Sequence, residues 1–197
     1  MDTKLTPILR EMAIEDLEQV SLVEQEAFNT SWTTTTYIYN VNRYSTTHLG
    51  VIELPELPPY RHPRPERLQV LPPYDESLSI GAIVAYGSMW IRNGEGHISQ
   101  LAVHPSHRGQ RLGELMLVGL LAKAMACHAR FSALEVRVSN VVAQALYMKY
   151  GYRRAEVLPK YYSDNHEDAY LMKTSTLNEK YWLAFRENVL KLAHSIT

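Results

Sequence analysis

Residues 97–126 constrain the fold more than any other stretch of the chain. HISQLAV at 97–103 alternates apolar and polar residues as a strand does. LGELMLVGLLAKAMA, beginning at Leu112, places Leu112, Leu115, Met116, Gly119 and Leu120 at the spacing of a buried helix face. Between them lies HPSHRGQR, short, basic and glycine-containing. A strand that feeds such a turn and then a helix leaves the first N–H groups of the helix unpaired. With the helix dipole behind them, those donors attract phosphate.

The rest of the chain supplies a sheet for this junction. PILREM reads as a short first strand, and AIEDLEQVSLVEQEAF as a helix with Leu17, Val20, Val23 or Glu24, and Ala27 on its buried side. WTTTTYIYNVNRY is expected to form a second short helix and STTHLGVIEL a strand. LSIGAIVAYGSMWI and GEGHISQLAV are paired strands around the turn RNGEG. The helix at 112–129 precedes ALEVRV, a strand in which Glu135 comes early. SNVVAQALYMKYG is a helix capped by Ser139 or Asn140 and closed by Gly151. Two strands joined by a polar turn follow in YRRAEVLPKYYSDNHEDAYLMKT. Last comes an amphipathic helix with Leu177, Tyr181, Phe185, Val189, Leu192 and Ile196 on one stripe. That stripe either packs back on its own domain or makes a homodimer.

The order predicts a mixed α/β (α+β) fold, a central twisted mixed sheet flanked by helices. The domain spans 1–176 and the added C-terminal helix 177–197. Residues 53–76 hold seven of the ten prolines and form an insertion, either a solvated connection or a binding loop through Arg61, Arg64 and Arg67 beside Tyr60.

Composition narrows the partners. A net charge of −1 gives no electrostatic reason to expect nucleic acid. No apolar run approaches the roughly 20 residues of a membrane span, and MDTKLTPILREM lacks the apolar core of a secretory leader, so a cytoplasmic protein without membrane contact is expected. The single cysteine, Cys127, cannot form an intrachain disulfide and reads as a small buried helix residue.

Which phosphate the turn holds depends on its chemistry. A nucleotide-hydrolase loop needs a lysine and a hydroxyl after its last glycine, whereas Gly113 is followed by Glu114 and Leu115. A dinucleotide fold is suggested by Glu135 downstream, but Gly109 and Gly113 do not make G-x-G-x-x-G and the later elements do not alternate as parallel units. His104 and His107 are too few for a metal, and none is expected. His107 could instead add charge toward a phosphate.

ISQLAVHPSHRGQRLGELML, LEVRVSNVVAQALYMKYGY and KYYSDNHEDAYLM together resemble the GCN5-related N-acetyltransferases (GNAT), and more narrowly the RimI-type ribosomal-protein alanine N-acetyltransferases. The resemblance covers about residues 7–173 without the proline-rich insertion. It implies acetyl-CoA as cosubstrate and a protein or peptide N-terminus as acceptor. The family's pyrophosphate turn, [RQ]-x-x-G-x-[GA], falls on Arg108, Gly109, Gln110, Arg111, Leu112 and Gly113, with Arg111 where the middle glycine is usual. By the same resemblance Leu101 and Val103 give backbone contacts to the acetyl and pantetheine groups, and Asn140 contacts the pantetheine arm or the base, with helix capping as its alternative. Glu135 matches the general base and Tyr147 the acid. A solvent-facing strand position and simple packing are their alternatives. Phe28, Trp32, Tyr161 and Tyr162 would flank the substrate, although Phe28-Asn29-Thr30-Ser31-Trp32 lacks the usual proline. Glu24 and Glu26 could attract an ammonium group or simply face water. His166, Glu167 and Asp168 read as a solvated hairpin tip.

Three functions remain open on these residues: an N-terminal acetyltransferase, an enzyme of the same fold acting on a lysine or a small amine, and a non-catalytic acyl-CoA-binding subunit.

Overall fold

The computed structural model describes residues 5–28, 47–59 and 81–196. The expected helix at 32–44, Trp32 and most of the proline-rich insertion lie outside them.

A seven-stranded sheet forms the frame. In chain order its strands are β1 (Ile8–Glu11), β2 (Thr47–Leu54), β3 (Ala82–Arg92), β4 (Glu95–Val103), β5 (Phe131–Arg137), β6 (Arg153–Leu158) and β7 (Ala169–Lys173). Their spatial order is β1-β2-β3-β4-β5-β7-β6. Only β4 and β5 run parallel; every other neighbouring pair is antiparallel. The β3–β4 hairpin closes on Asn93 and Gly94, both at positive φ (54° and 80°), the backbone that a tight hairpin demands.

β3 is buried from Ala82 to Met89, on both faces, so the sheet must be covered twice. α1 (Leu17–Ala27) covers one face, burying Leu17, Val20 and Val23 against Val51, Ile83 and Tyr86. α2 (Leu112–Ala126), α3 (Val141–Lys149) and α4 (Glu179–Ile196) belong to the other layer. There Met116, Leu117 and Leu121 pack with Ile52, Val84 and Leu134, and Tyr147, Tyr150 and Tyr152 fill the space beside them. α4 lays Phe185 and Leu192 into this same cluster, with Leu177, Tyr181, Val189 and Ile196 along it. Its apolar stripe is therefore used within the molecule.

Several boundaries differ from the sequence reading. α2 ends at Ala126, so Cys127 is its half-buried cap, with Sγ 3.7 Å from His48 Nε2, rather than a residue inside the helix. β5 begins at Phe131, two residues earlier than read, which puts Glu135 in its second half. Glu24 is fully buried on α1, whereas Glu26 faces water.

Among the described residues no helix is long and apolar enough to cross a membrane, and no group of three or more His, Cys, Asp or Glu side chains is placed to hold a metal ion.

Candidate active site

β4 and β5 pair only at their beginnings, from Glu95–Phe131 to Ile98–Leu134, and then separate. A cavity of about 580 Å³ opens between them. Its walls come from both strands (Ser99, Gln100 and Leu101; Glu135, Val136 and Arg137), from Asn140 and Tyr147 at α3, and from Phe28 and Tyr162 at its mouth. The parallel pair also explains the position of the phosphate turn. A β4–turn–α2–β5 crossover puts the start of α2 beside the end of β4, where the two strands part.

The turn has the form that the sequence suggested, with one revealing detail. Gly109 adopts φ +79°, and a Cβ placed there would meet nothing within 4 Å, so the loop is open on that side. Arg111, standing where a glycine is usual, adopts the left-handed conformation itself (φ 62°, ψ 12°). Its guanidinium turns back onto the protein, donating to Glu114 Oε2 at 2.8 and 3.1 Å and to Ser195 Oγ on α4. Glu114, buried in the first turn of α2, also accepts from Lys149 Nζ and, at 2.7 Å, from the Tyr150 hydroxyl. Burial by itself would raise the Glu114 carboxyl, but these donors hold it below its usual range. A carboxylate at a helix start would otherwise repel an incoming phosphate. Arg111 and Lys149 offset it.

Arg108 is exposed at the same turn, its Nε 3.4 Å from the Val103 carbonyl. Gly113 lies against Val103 and Leu101, its would-be Cβ 3.5 and 3.8 Å from their side chains, which brings the helix start close to the strand. The open side of the turn at Gly109, the start of α2 and the exposed Arg108 form a donor set of the kind that suits phosphate, and β4 at Leu101 and Val103 lies beyond its pairing with β5. Burial, and secondarily His104, push the His107 imidazole below its usual value.

Inside the cavity Glu135 is neither solvated nor isolated. Its Oε2 is 2.9 Å from His97 Nε2, while His97 Nδ1 is 2.9 Å from Glu95 Oε1. The His97 ring stacks on Trp90, centroids 4.6 Å apart and planes within 4°. Burial disfavours the imidazolium, but Glu135 and Glu95 outweigh it and raise His97 above its ordinary range. Sequence reasoning missed His97. The signal was available, since 95, 97, 133 and 135 share one face once β4 and β5 pair in register, but the register itself was not readable.

Tyr147 is buried beside Tyr152, centroids 5.8 Å apart, and lines the cavity. Burial keeps its phenol protonated far above neutral pH. Asn140 caps α3, its Oδ1 accepting from Ala143 N–H at 3.1 Å.

Tyr161 and Tyr162 meet edge to face, 5.3 Å between centroids. Arg137, at the end of β5, organises their loop: its guanidinium lies 3.8 Å over the Tyr162 ring and pairs with Asp164 at 2.9 Å and Glu167 at 3.2 Å. Glu167 also accepts from Ser139 N–H at 2.8 Å, which, with Arg137, pulls its carboxyl down to about 2. The hairpin tip is therefore a pinned wall of the cavity rather than a free polar turn. His166 remains exposed, and Asp168 accepts from Lys160 N–H.

Residues 23–152 match the model of the acetyltransferase (GNAT) family. A Bacillus subtilis protein, named by inference as a ribosomal protein bS18-alanine N-acetyltransferase, is 30% identical over 176 residues, 89% of this chain and 99% of that protein. An uncharacterised N-acetyltransferase of Methanocaldococcus jannaschii is 33% identical over 177 residues, 88% of this chain and 94% of that protein. In fold, the crystal structure of the ribosomal-protein-S18-alanine N-acetyltransferase from Escherichia coli matches with a TM-score of 0.65 at 22% identity, covering 88% of this chain and 97% of the other.

Proposed function

Because the chain belongs to the GNAT family of acetyltransferases, we propose that it transfers the acetyl group of acetyl-CoA to the α-amino group of a protein N-terminus, with an N-terminal alanine as the first substrate to test. The alanine is suggested by the named activity of the Bacillus relative. The observation that carries the reading is Glu135, hydrogen-bonded to His97 in a cavity lined on one side by the acidic, aromatic β6–β7 loop and on another by β4 as far as Leu101.

The cosubstrate supplies an activated acyl carbon and a thiolate leaving group; the chain supplies proton handling and position. An α-amino group has a pKa of about 7.7–8.0, so roughly a tenth is neutral at pH 7, whereas a lysine at about 10.4 is far less available. Glu135 accepts the proton that the ammonium must lose, directly or through one water, and the amine nitrogen then forms the new bond to the acyl carbon. As the carbon–sulfur bond breaks, the Tyr147 hydroxyl supplies a proton to the leaving sulfur, the nitrogen gives up its second proton through solvent to the phenolate, and Glu135 releases its own proton to solvent. The amides of Gly109–Gly113, with Arg108, suit the pyrophosphate, the β4 edge at Leu101 and Val103 suits the pantetheine arm, and Asn140 lies at the same opening. Phe28, Tyr161 and Tyr162 bracket the entering chain, and the carboxylates of Glu135, Asp164 and Glu167 favour a cation there.

The test is acetyl-CoA turnover with two matched peptides, one with a free N-terminal alanine and no lysine, the other with a blocked N-terminus and one lysine. Turnover of only the first is expected. Turnover of only the second would move the function to lysine, and acetyl-CoA binding without either would favour a small amine or a binding role.

A further inference from the structure

The His97 ring is held from three sides. Trp90 on β3 fixes its plane, Glu135 on β5 meets Nε2 and Glu95 on β4 meets Nδ1, both at 2.9 Å. A neutral imidazole carries one N–H and cannot donate to two ionised carboxylates at once. Both contacts are hydrogen bonds only when the three groups together hold an additional proton, on the ring or on a carboxyl. By register the other charged groups on this face are Arg92, whose backbone pairs with Glu95 across β3–β4, Lys173, whose backbone pairs with Ala133 across β5–β7, and, beyond β7, Arg153 and Glu156, which pair with Lys173 and Leu171. The Tyr161 hydroxyl is a further titratable group beside Glu135. Among the described residues the charged groups hydrogen-bonded to the ring are Glu95 and Glu135.

We propose that Glu95 is a positioning residue that locks the His97 ring against Glu135, so that the proton taken from the incoming amine is shared across the Glu135–His97 pair. This rests on the reading of Glu135 as the base. The step starts from the state in which the three groups lack that additional proton: the amine N–H bond breaks and a Glu135 O–H bond forms, the proton passes to His97 Nε2 and leaves Glu135 ionised, and it is released to solvent before the next turnover. The Glu95 carboxylate accepts the Nδ1–H and stabilises the resulting imidazolium. The rise in His97 basicity caused by Glu135 and Glu95 brings the pair nearer to the α-amine it serves, which is where a general base works best.

The experiment compares Glu95→Gln and Glu95→Ala with the wild type. One readout is the pH profile of kcat/KM for a single N-terminal alanine peptide, whose own amine titration is common to all three. The other is the imidazole NMR titration of His97, assigned by loss of its signals in His97→Gln. Glutamine keeps an acceptor for Nδ1–H but removes the charge. The expected result is a downward shift of about one pH unit in both the His97 titration and the acidic limb, with a lower plateau and little change in the KM for acetyl-CoA. Glutamine indistinguishable from wild type, with alanine lowering kcat at an unshifted limb, would reduce Glu95 to a steric support and overturn the proposal. A shifted His97 titration with an unshifted limb would also overturn it, because the ring would then stand outside the proton path. Failure of the base reading is seen separately, as Glu135→Gln with unchanged turnover or wild type inactive on the peptide.

Discussion

Arg111 holds a backbone conformation that costs an L-residue about 1–2 kcal/mol, at the turn between β4 and α2. The cost is met locally: two hydrogen bonds to Glu114, a third contact to Ser195, and neutralisation of a buried carboxylate at the helix start. Glycine at this position would relax the backbone but lose the clasp, and alanine would lose the clasp and keep the strain. Arg111→Gly is therefore expected to be more stable than Arg111→Ala by about 1 kcal/mol in denaturant unfolding. The usual helix ranking is the reverse, in which alanine exceeds glycine by about 1 kcal/mol. Alanine as the more stable variant would show that position 111 is not left-handed in solution.

At the scale of elements, two attachments shape the site: the Arg137 pin on the β6–β7 loop and the seat of α4. Glu167, lowered to about 2 by Ser139 and Arg137, is a depressed carboxylate. Its contribution is fully present above the ordinary carboxylate range near 4.5 and is lost as pH falls toward about 2. Exchange of the Ser139 amide, read by NMR, should remain protected down to about pH 4 and quicken below it, whereas Glu167→Gln should quicken it already at neutral pH. Equal protection in the two proteins would mean that the loop is held by other contacts. For α4, Phe185 is 4% exposed among Tyr150, Tyr181 and Trp182. Phe185→Ala should cost about 3 kcal/mol in denaturant unfolding. A loss under about 1 kcal/mol would mark a helix that rests on the surface without contributing to the core.

Across the whole molecule, the sequence was most informative where period and punctuation agree. The β4–turn–α2 junction, the Asn93-Gly94 hairpin, the Asn140 cap and the α4 stripe all follow from local rules and all appear in the structure. The parts that could not be read from sequence depend on register between distant segments. His97 faces Glu135 only because Glu95 pairs with Phe131, and nothing within either strand specifies that offset. Arg137 and Glu167 are thirty positions apart and meet because β5 pairs with β7. Glu24, which the helical spacing allowed on the buried side and its charge allowed in water, is buried, because burial of α1 extends to Gln100 on β4, which donates to Glu24 Oε1 at 3.3 Å. Separation of β4 from β5 is likewise a property of the sheet rather than of either strand, and it opens the cavity that Glu135, Tyr147 and Tyr162 line. The most direct test gives that cavity a choice within one molecule. A peptide beginning with a free alanine and carrying one internal lysine is incubated with the protein and acetyl-CoA, and the acetyl group is located by fragmentation mass spectrometry. Acetyl is expected on the N-terminal nitrogen, with the lysine unmodified; acetyl on the lysine alone would overturn the N-terminal reading.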